Sequence, residues 1–105
     1  MPNSRLDKLL EMLGKQPDDP FLIYAVGIEY EAIGEVERAM DYYTTVLDRH
    51  PDYLPVYYQA GLLSSKMGDN ENANALLEKG ISLAQTQKDR KTENELKMAL
   101  EDLED

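Results

Sequence analysis

From Val36 onward, apolar residues fall at Ala39, Met40, Tyr43, Val46 and Leu47, while Glu37, Arg38, Asp41, Thr44, Asp48 and Arg49 take the positions between. Steps of three and four gather the first set on one stripe and leave the second on the wet side, so the spacing predicts an amphipathic helix over 36–49. The stripe returns as Ala73, Leu76, Leu77, Gly80, Ile81 and Ala84, and Leu6, Leu9, Leu10 and Leu13 precede it. Three helices of one type are thus predicted, over about 4–14, 36–49 and 70–85. Two helices of a second type lie between them, over about 20–33 and 54–67, the former apolar almost all round. Asp19 is an N-cap ahead of Pro20, a proline at the first helical position where its missing N–H costs nothing, and Pro55 sits in a first turn for the same reason. Gly34 and Gly68 supply the positive φ that turns the chain back. No period-2 apolar run survives, so no strand is expected.

These marks recur. Pro17 and Pro51, Gly27 and Gly61, Gly34 and Gly68, and Ala39 and Ala73 are each 34 residues apart. A fixed period between 20 and 50 residues is the signature of stacked supersecondary units. The rhythm breaks at the end, where Gln85 stands in the place of the next proline. After the polar stretch Gln85 to Lys91, Thr92-x-x-Glu95 reads as a capping box opening a last helix with the stripe Leu96, Ala99, Leu100 and Leu103. That helix is expected to cap the exposed face of the last repeat. The acids from Glu101 to Asp105 oppose the macrodipole and are expected to fray.

The pattern resembles the tetratricopeptide repeat, a 34-residue helix–turn–helix. Gly27, Tyr30, Gly34, Ala39, Tyr43 and Pro51 match in the first repeat, with Ile23 where the family often has tryptophan and Val26 where it has leucine. Tyr57, Ala60, Gly61, Gly68, Asp69, Ala73 and Leu77 match in the second; Ser64 and Gln85 depart from it, and Arg5 stands where the family has a small alanine. The resemblance implies an all-α fold, a right-handed superhelix of antiparallel helix hairpins (an α-solenoid) with about six helices. It would be a single domain over 1–105: a half-repeat at 4–17, repeats at 20–53 and 54–87, and a capping helix at 92–104. Gly27 with Ala39, and Gly61 with Ala73, would let paired helices approach closely, with Tyr30 and Tyr43 filling the space beside them.

Composition narrows the function classes. With 105 residues there is room for one compact domain; 42% apolar and 30% charged residues suit a packed core. The absence of cysteine excludes disulfides, thiolate metal sites and cysteine nucleophiles. Eleven Lys and Arg against 21 Asp and Glu give a net charge of −10, which argues against nucleic acid or anionic lipid as a partner. The longest uncharged apolar stretch, Pro20 to Ile28, is far short of the roughly 20 residues of a membrane span, and the first residues lack a secretory signal. A soluble, cytoplasmic protein is expected.

Helix 20–33 carries a packing stripe, Ile23, Val26, Gly27 and Tyr30, and a second stripe, Phe21, Tyr24, Ile28 and Glu31. Helix 54–67 repeats the second as Pro55, Tyr58, Leu62 and Ser65, flanked by Lys66. A helix apolar all round is buried or displays an interaction surface. The resemblance implies that the second stripe lines a concave groove, with Phe21, Tyr24, Ile28, Tyr58 and Leu62 as an apolar, aromatic shelf and Glu31, Ser65 and Lys66 at its rim. The expected function is a non-catalytic protein-interaction module that binds a peptide or amphipathic partner segment. In the alternatives a second copy of the chain covers the shelf, making a self-associating scaffold or homodimer, or the C-terminal helix does. Family members that clamp acidic chaperone tails carry Lys and Asn on this face; here Tyr24, Ile28, Gln59 and Leu62 stand there. An apolar or basic-amphipathic ligand is therefore expected.

No enzyme, metal or cofactor signal rises above background. His50, the single histidine, precedes Pro51 at a helix end and is expected to meet the last carbonyls. Glu29, Glu31 and Glu35 lack calcium-loop spacing and read as solvated carboxylates. The glycines follow no strands, so they cradle no phosphate. Lys88 to Lys91 reads as a solvated linker, and the tyrosines as packing residues, with Tyr42 and Tyr53 exposed.

Overall fold

The computed structural model describes residues 4–104, and among them there are six helices and no strand: α1 (Ser4–Lys15), α2 (Pro20–Ala32), α3 (Val36–Arg49), α4 (Pro55–Lys66), α5 (Asn70–Gln87) and α6 (Arg90–Glu104). Met1 to Asn3 and Asp105 lie outside the described residues. The chain divides into two compact units, the first ending at Tyr53 and the second starting at Leu54.

In the first unit, α2 packs on both α1 and α3. The Asp19 carboxylate accepts from the backbone N–H groups of Phe21 (2.9 Å) and Leu22 (3.3 Å), so the predicted N-cap forms ahead of Pro20. Its core holds Leu6, Leu22, Ile23, Val26, Ala39, Tyr43 and Val46. Arg5 pairs with Glu29 on α2 at 3.2 Å.

In the second unit, α5 packs on both α4 and α6, and α6 also touches α4. Antiparallel pairing follows from the contacts: Gly80 faces Tyr57, Gly61 faces Leu77, and Asn72 bonds Ser64. Leu63, Leu77 and Leu96 are fully buried.

Three helix ends close in the same way. Gly34 and Gly68 have φ of 85° and 87°, and their neighbours Glu35 and Asp69 donate back to the carbonyls of Tyr30 and Ser64, both at 2.9 Å. These are Schellman closures, in which a left-handed residue lets the chain satisfy carbonyls the helix leaves open. The third lies at Lys88, which takes φ of 59° while Asp89 N–H reaches the Ala84 carbonyl at 2.9 Å.

That third closure corrects the reading of the C-terminal segment. The polar stretch is not a linker: α5 continues to Gln87, and α6 opens at Arg90 in place of Thr92. The cap is Asp89, whose carboxylate accepts from the Thr92 backbone N–H (3.1 Å) and hydroxyl (2.9 Å). Thr92 is thus the third helical residue and the recipient of the cap. Both side chains can cap, and the stop of α5 at Lys88 decides between them. α6 remains helical to Glu104, so the acidic end keeps its turn.

Candidate interaction surface

In the first unit the helices approach through Gly27. A Cβ there would lie 2.6 Å from Cε1 of Tyr43 and 3.3 Å from Cβ of Tyr42, so glycine makes room for a fully buried ring. The Tyr43 hydroxyl donates to Glu31 Oε1 at 2.8 Å. Burial, reinforced by that bond and by the Glu31 charge, pushes the hydroxyl far above the ordinary phenol range and keeps it a donor. Beside it, Tyr30 stacks on Tyr42 with centroids 5.5 Å apart, and Arg38 lies 5.6 Å from the Tyr30 ring centre.

The face expected on α2 is only partly open. Phe21 is 57% exposed, whereas Tyr24, Ile28 and Glu31 are half-buried. The Tyr24 ring packs 6.1 Å from Tyr43 and edge-on at 5.5 Å to Tyr53. Tyr24 therefore serves the core as well as the surface, and Glu31 is the acceptor that holds Tyr43. Tyr42 and Tyr53, expected exposed, are half-buried in these aromatic contacts, and burial raises both hydroxyls. Their rows on the helix and loop look wet in the sequence because their ring partners come from α2.

His50 also departs from expectation. The backbone leaves the helical region there (φ −134°, ψ 66°), and the ring Nε2 sits 3.2 Å from Asp18 Oδ1 instead of at the last carbonyls. Arg49 Nη1 is 3.7 Å from the same oxygen. The cluster ties the end of α3 to the α1–α2 connection. Glu29 and Glu31, weighed as cation ligands, are engaged with Arg5 and Tyr43.

In the second unit Tyr58, Leu62 and Ser65 are half-buried and Lys66 is exposed. Ser65 donates to Asn70 Oδ1 at 3.2 Å, which spends its hydroxyl on the turn into α5. Tyr58 and Leu62 line a cleft of about 280 Å³ whose opposite wall is α6, through Glu95, Met98, Ala99, Asp102 and Leu103. Of these α6 residues the sequence reading named Ala99 and Leu103 as stripe members and Glu95 only as a capping-box acid; Met98 and Asp102 were missed. The missed ones lie one position before stripe residues, along its flank, which is the signal that marks them. Met98 is 65% exposed, the most open of the large apolar side chains in the described core and surface.

An all-α chain of short-looped helix pairs, closed by glycines and carrying apolar stripes on two equivalent helices, defines a helix-hairpin repeat protein. Comparison matches residues 54–87 to the tetratricopeptide repeat. Over 99 residues, 94% of both chains, the sequence is 27% identical to a TPR repeat-containing protein of Pseudomonas aeruginosa. The crystal structure of a tetratricopeptide repeat domain protein from Salinibacter ruber superposes with a TM-score of 0.80 at 28% identity, covering 83% of this chain and 97% of the other. The solution structure of a Bordetella parapertussis protein gives 0.82 at 25% identity, covering 98% and 89%. Residues 54–87 thus match a tetratricopeptide repeat, and the six helices among the described residues are consistent with two repeats plus flanks. No helix among the described residues is long and apolar enough to cross a membrane.

Proposed function

We propose that the chain is a non-catalytic protein-interaction module that receives a peptide or amphipathic partner segment on the apolar, aromatic faces of α2 and α4. Its family is one of interaction and scaffold proteins, which supports the coarse reading. The observation that carries the finer one is that Phe21, Ile28, Tyr58 and Leu62 keep open surface while Leu22, Ile23, Val26, Val56, Ala60 and Leu63 on the same two helices are buried. Apolar side chains that keep exposed surface on each of the two helices favour docking. The net charge of −10 favours a partner that is apolar or basic.

The test is capture of partner from native lysate by wild type and by Phe21→Glu and Tyr58→Glu. Each substitution should weaken capture about thirty-fold, the size of an interface hot spot, with the helical circular dichroism unchanged. Capture that survives both rejects the faces. Light scattering across a dilution series separates the self-association reading: a dimer that dissociates on dilution, and that Phe21→Glu keeps monomeric, would replace the foreign partner by a second copy.

A further inference from the structure

The cleft between α4 and α6 carries chemistry that the repeat match does not contain, because α6 (Arg90–Glu104) lies beyond the matched residues 54–87. At about 280 Å³ it falls below the roughly 300–1,000 Å³ of pockets for drug-sized ligands, which suits one or two large side chains inserted from a macromolecule. Its floor and walls are apolar: Tyr58 and Leu62 from α4, Met98, Ala99 and Leu103 from α6. Methionine at the mouth is a soft, adaptable contact.

The two remaining lining groups are both acids. Glu95 and Asp102 line the same cleft, and both are exposed. They stand seven residues apart on one face of α6, two turns and about 10 Å along its axis at 1.5 Å per residue. An apolar slot lined by two carboxylates two helical turns apart selects a ligand with an apolar anchor between two cations.

Resting on the interaction reading above, we propose that this cleft docks a basic amphipathic helix of a partner protein, with Lys or Arg at positions i and i+7 and apolar anchors at i+3 and i+4. A helix laid along α6 shares its rise, so its two cations meet Glu95 and Asp102 while the anchors enter beside Tyr58 and Leu62. Helix-in-groove recognition of this kind reads the partner through such spaced anchors. The acids set selectivity and the apolar walls supply most of the affinity.

The probes are two synthetic helical peptides with Leu at i+3 and i+4, one with Lys and the other with Glu at i and i+7. They are titrated into the ¹⁵N-labelled full chain. The Lys peptide should shift the amides of Tyr58, Leu62 and Met98, weaken with added salt, and bind about tenfold better than the Glu peptide. Glu95→Lys with Asp102→Lys, both at exposed positions, should reverse that preference while leaving the spectrum of the first unit unchanged. Equal binding of both peptides, unchanged preference in the reversed variant, or no binding overturns the proposal. Shifts confined to Phe21 and its neighbours overturn the cleft and leave the interaction reading standing; that reading fails separately, when Phe21→Glu and Tyr58→Glu still capture partner.

Discussion

The hairpins α2–α3 and α4–α5 share a 34-residue rhythm and solve the same packing problem with different chemistry. In each, a glycine on the first helix admits one large side chain from the second: Tyr43 at Gly27, Leu77 at Gly61. The first hairpin then spends a hydroxyl–carboxylate bond and an aromatic stack under Arg38. The second has Ser64 where Tyr30 stands one period earlier, and Asn72 where Arg38 does. Their side chains join at 2.9 Å, with Asp69 accepting from the Asn72 N–H at 3.0 Å. Glycine is common to both because only close backbone approach is shared; what fills the gap is interchangeable. The departure of Ser64 from the repeat pattern is thus a substitution of one bond for one stack.

The comparison can be broken most severely at the inserted side chains. Tyr43→Ala should cost about 3–5 kcal/mol and Leu77→Ala about 2–5 kcal/mol, as fully buried large residues do when a cavity remains. Urea unfolding followed by circular dichroism measures both. Next come the glycines. Gly27→Ala places a methyl 2.6 Å from a buried ring, and Gly61→Ala places one 2.8 Å from Cδ2 of Leu77. Even after the gain in helix propensity each should destabilise by about 1–3 kcal/mol, the ring yielding less readily than the leucine. An alanine variant that unfolds at the wild-type midpoint would show that close approach is not what selects glycine.

Smaller effects sharpen the contrast at the turns. Gly34 and Gly68 take positive φ without penalty, whereas Lys88 does so with a Cβ. Lys88→Gly should therefore stabilise by about 0.5–1 kcal/mol in the same unfolding measurement, and Gly68→Lys should do the reverse. The smallest expected effect is a pH dependence at α6. The Thr92 backbone and hydroxyl bonds hold the Asp89 carboxyl below its usual range, and Lys97, at 2.8 Å, with the Gln85 amide does so for Glu93. Both folded-state values lie below the unfolded ones. Their contribution is thus complete above the unfolded pKa of about 4 and is lost as the pH falls through the folded values. The protection of α6 amides, relative to their intrinsic exchange at each pH, should fall below about pH 4, and Asp89→Asn with Glu93→Gln should flatten that response.

Helix type, helix order and most ends were legible because they answer to local constraints. Periodicity placed α3 at Val36–Arg49, Asp19 before Pro20 capped α2, and two glycines marked turns that do take positive φ. The first repeat's stripe members Ala39, Tyr43 and Val46 are all fully buried. The candidate face was legible only as a row of residues. That Tyr24 leans on Tyr43 and Tyr53, or that Glu31 holds a tyrosine, depends on the helix opposite.

The sequence by itself determined the register of the repeat, because steps of three and four and a 34-residue offset are properties of one chain read along its length. Tertiary structure alone decided the rest: that Gly80 clears a path for Tyr57 and Leu96, that Asp18 reaches His50, and that Glu95 and Asp102 line an apolar cleft. Each depends on how far one helix is rotated toward another and how far a side chain reaches across. Those quantities are set by packing between helices, and no periodicity within a helix records them.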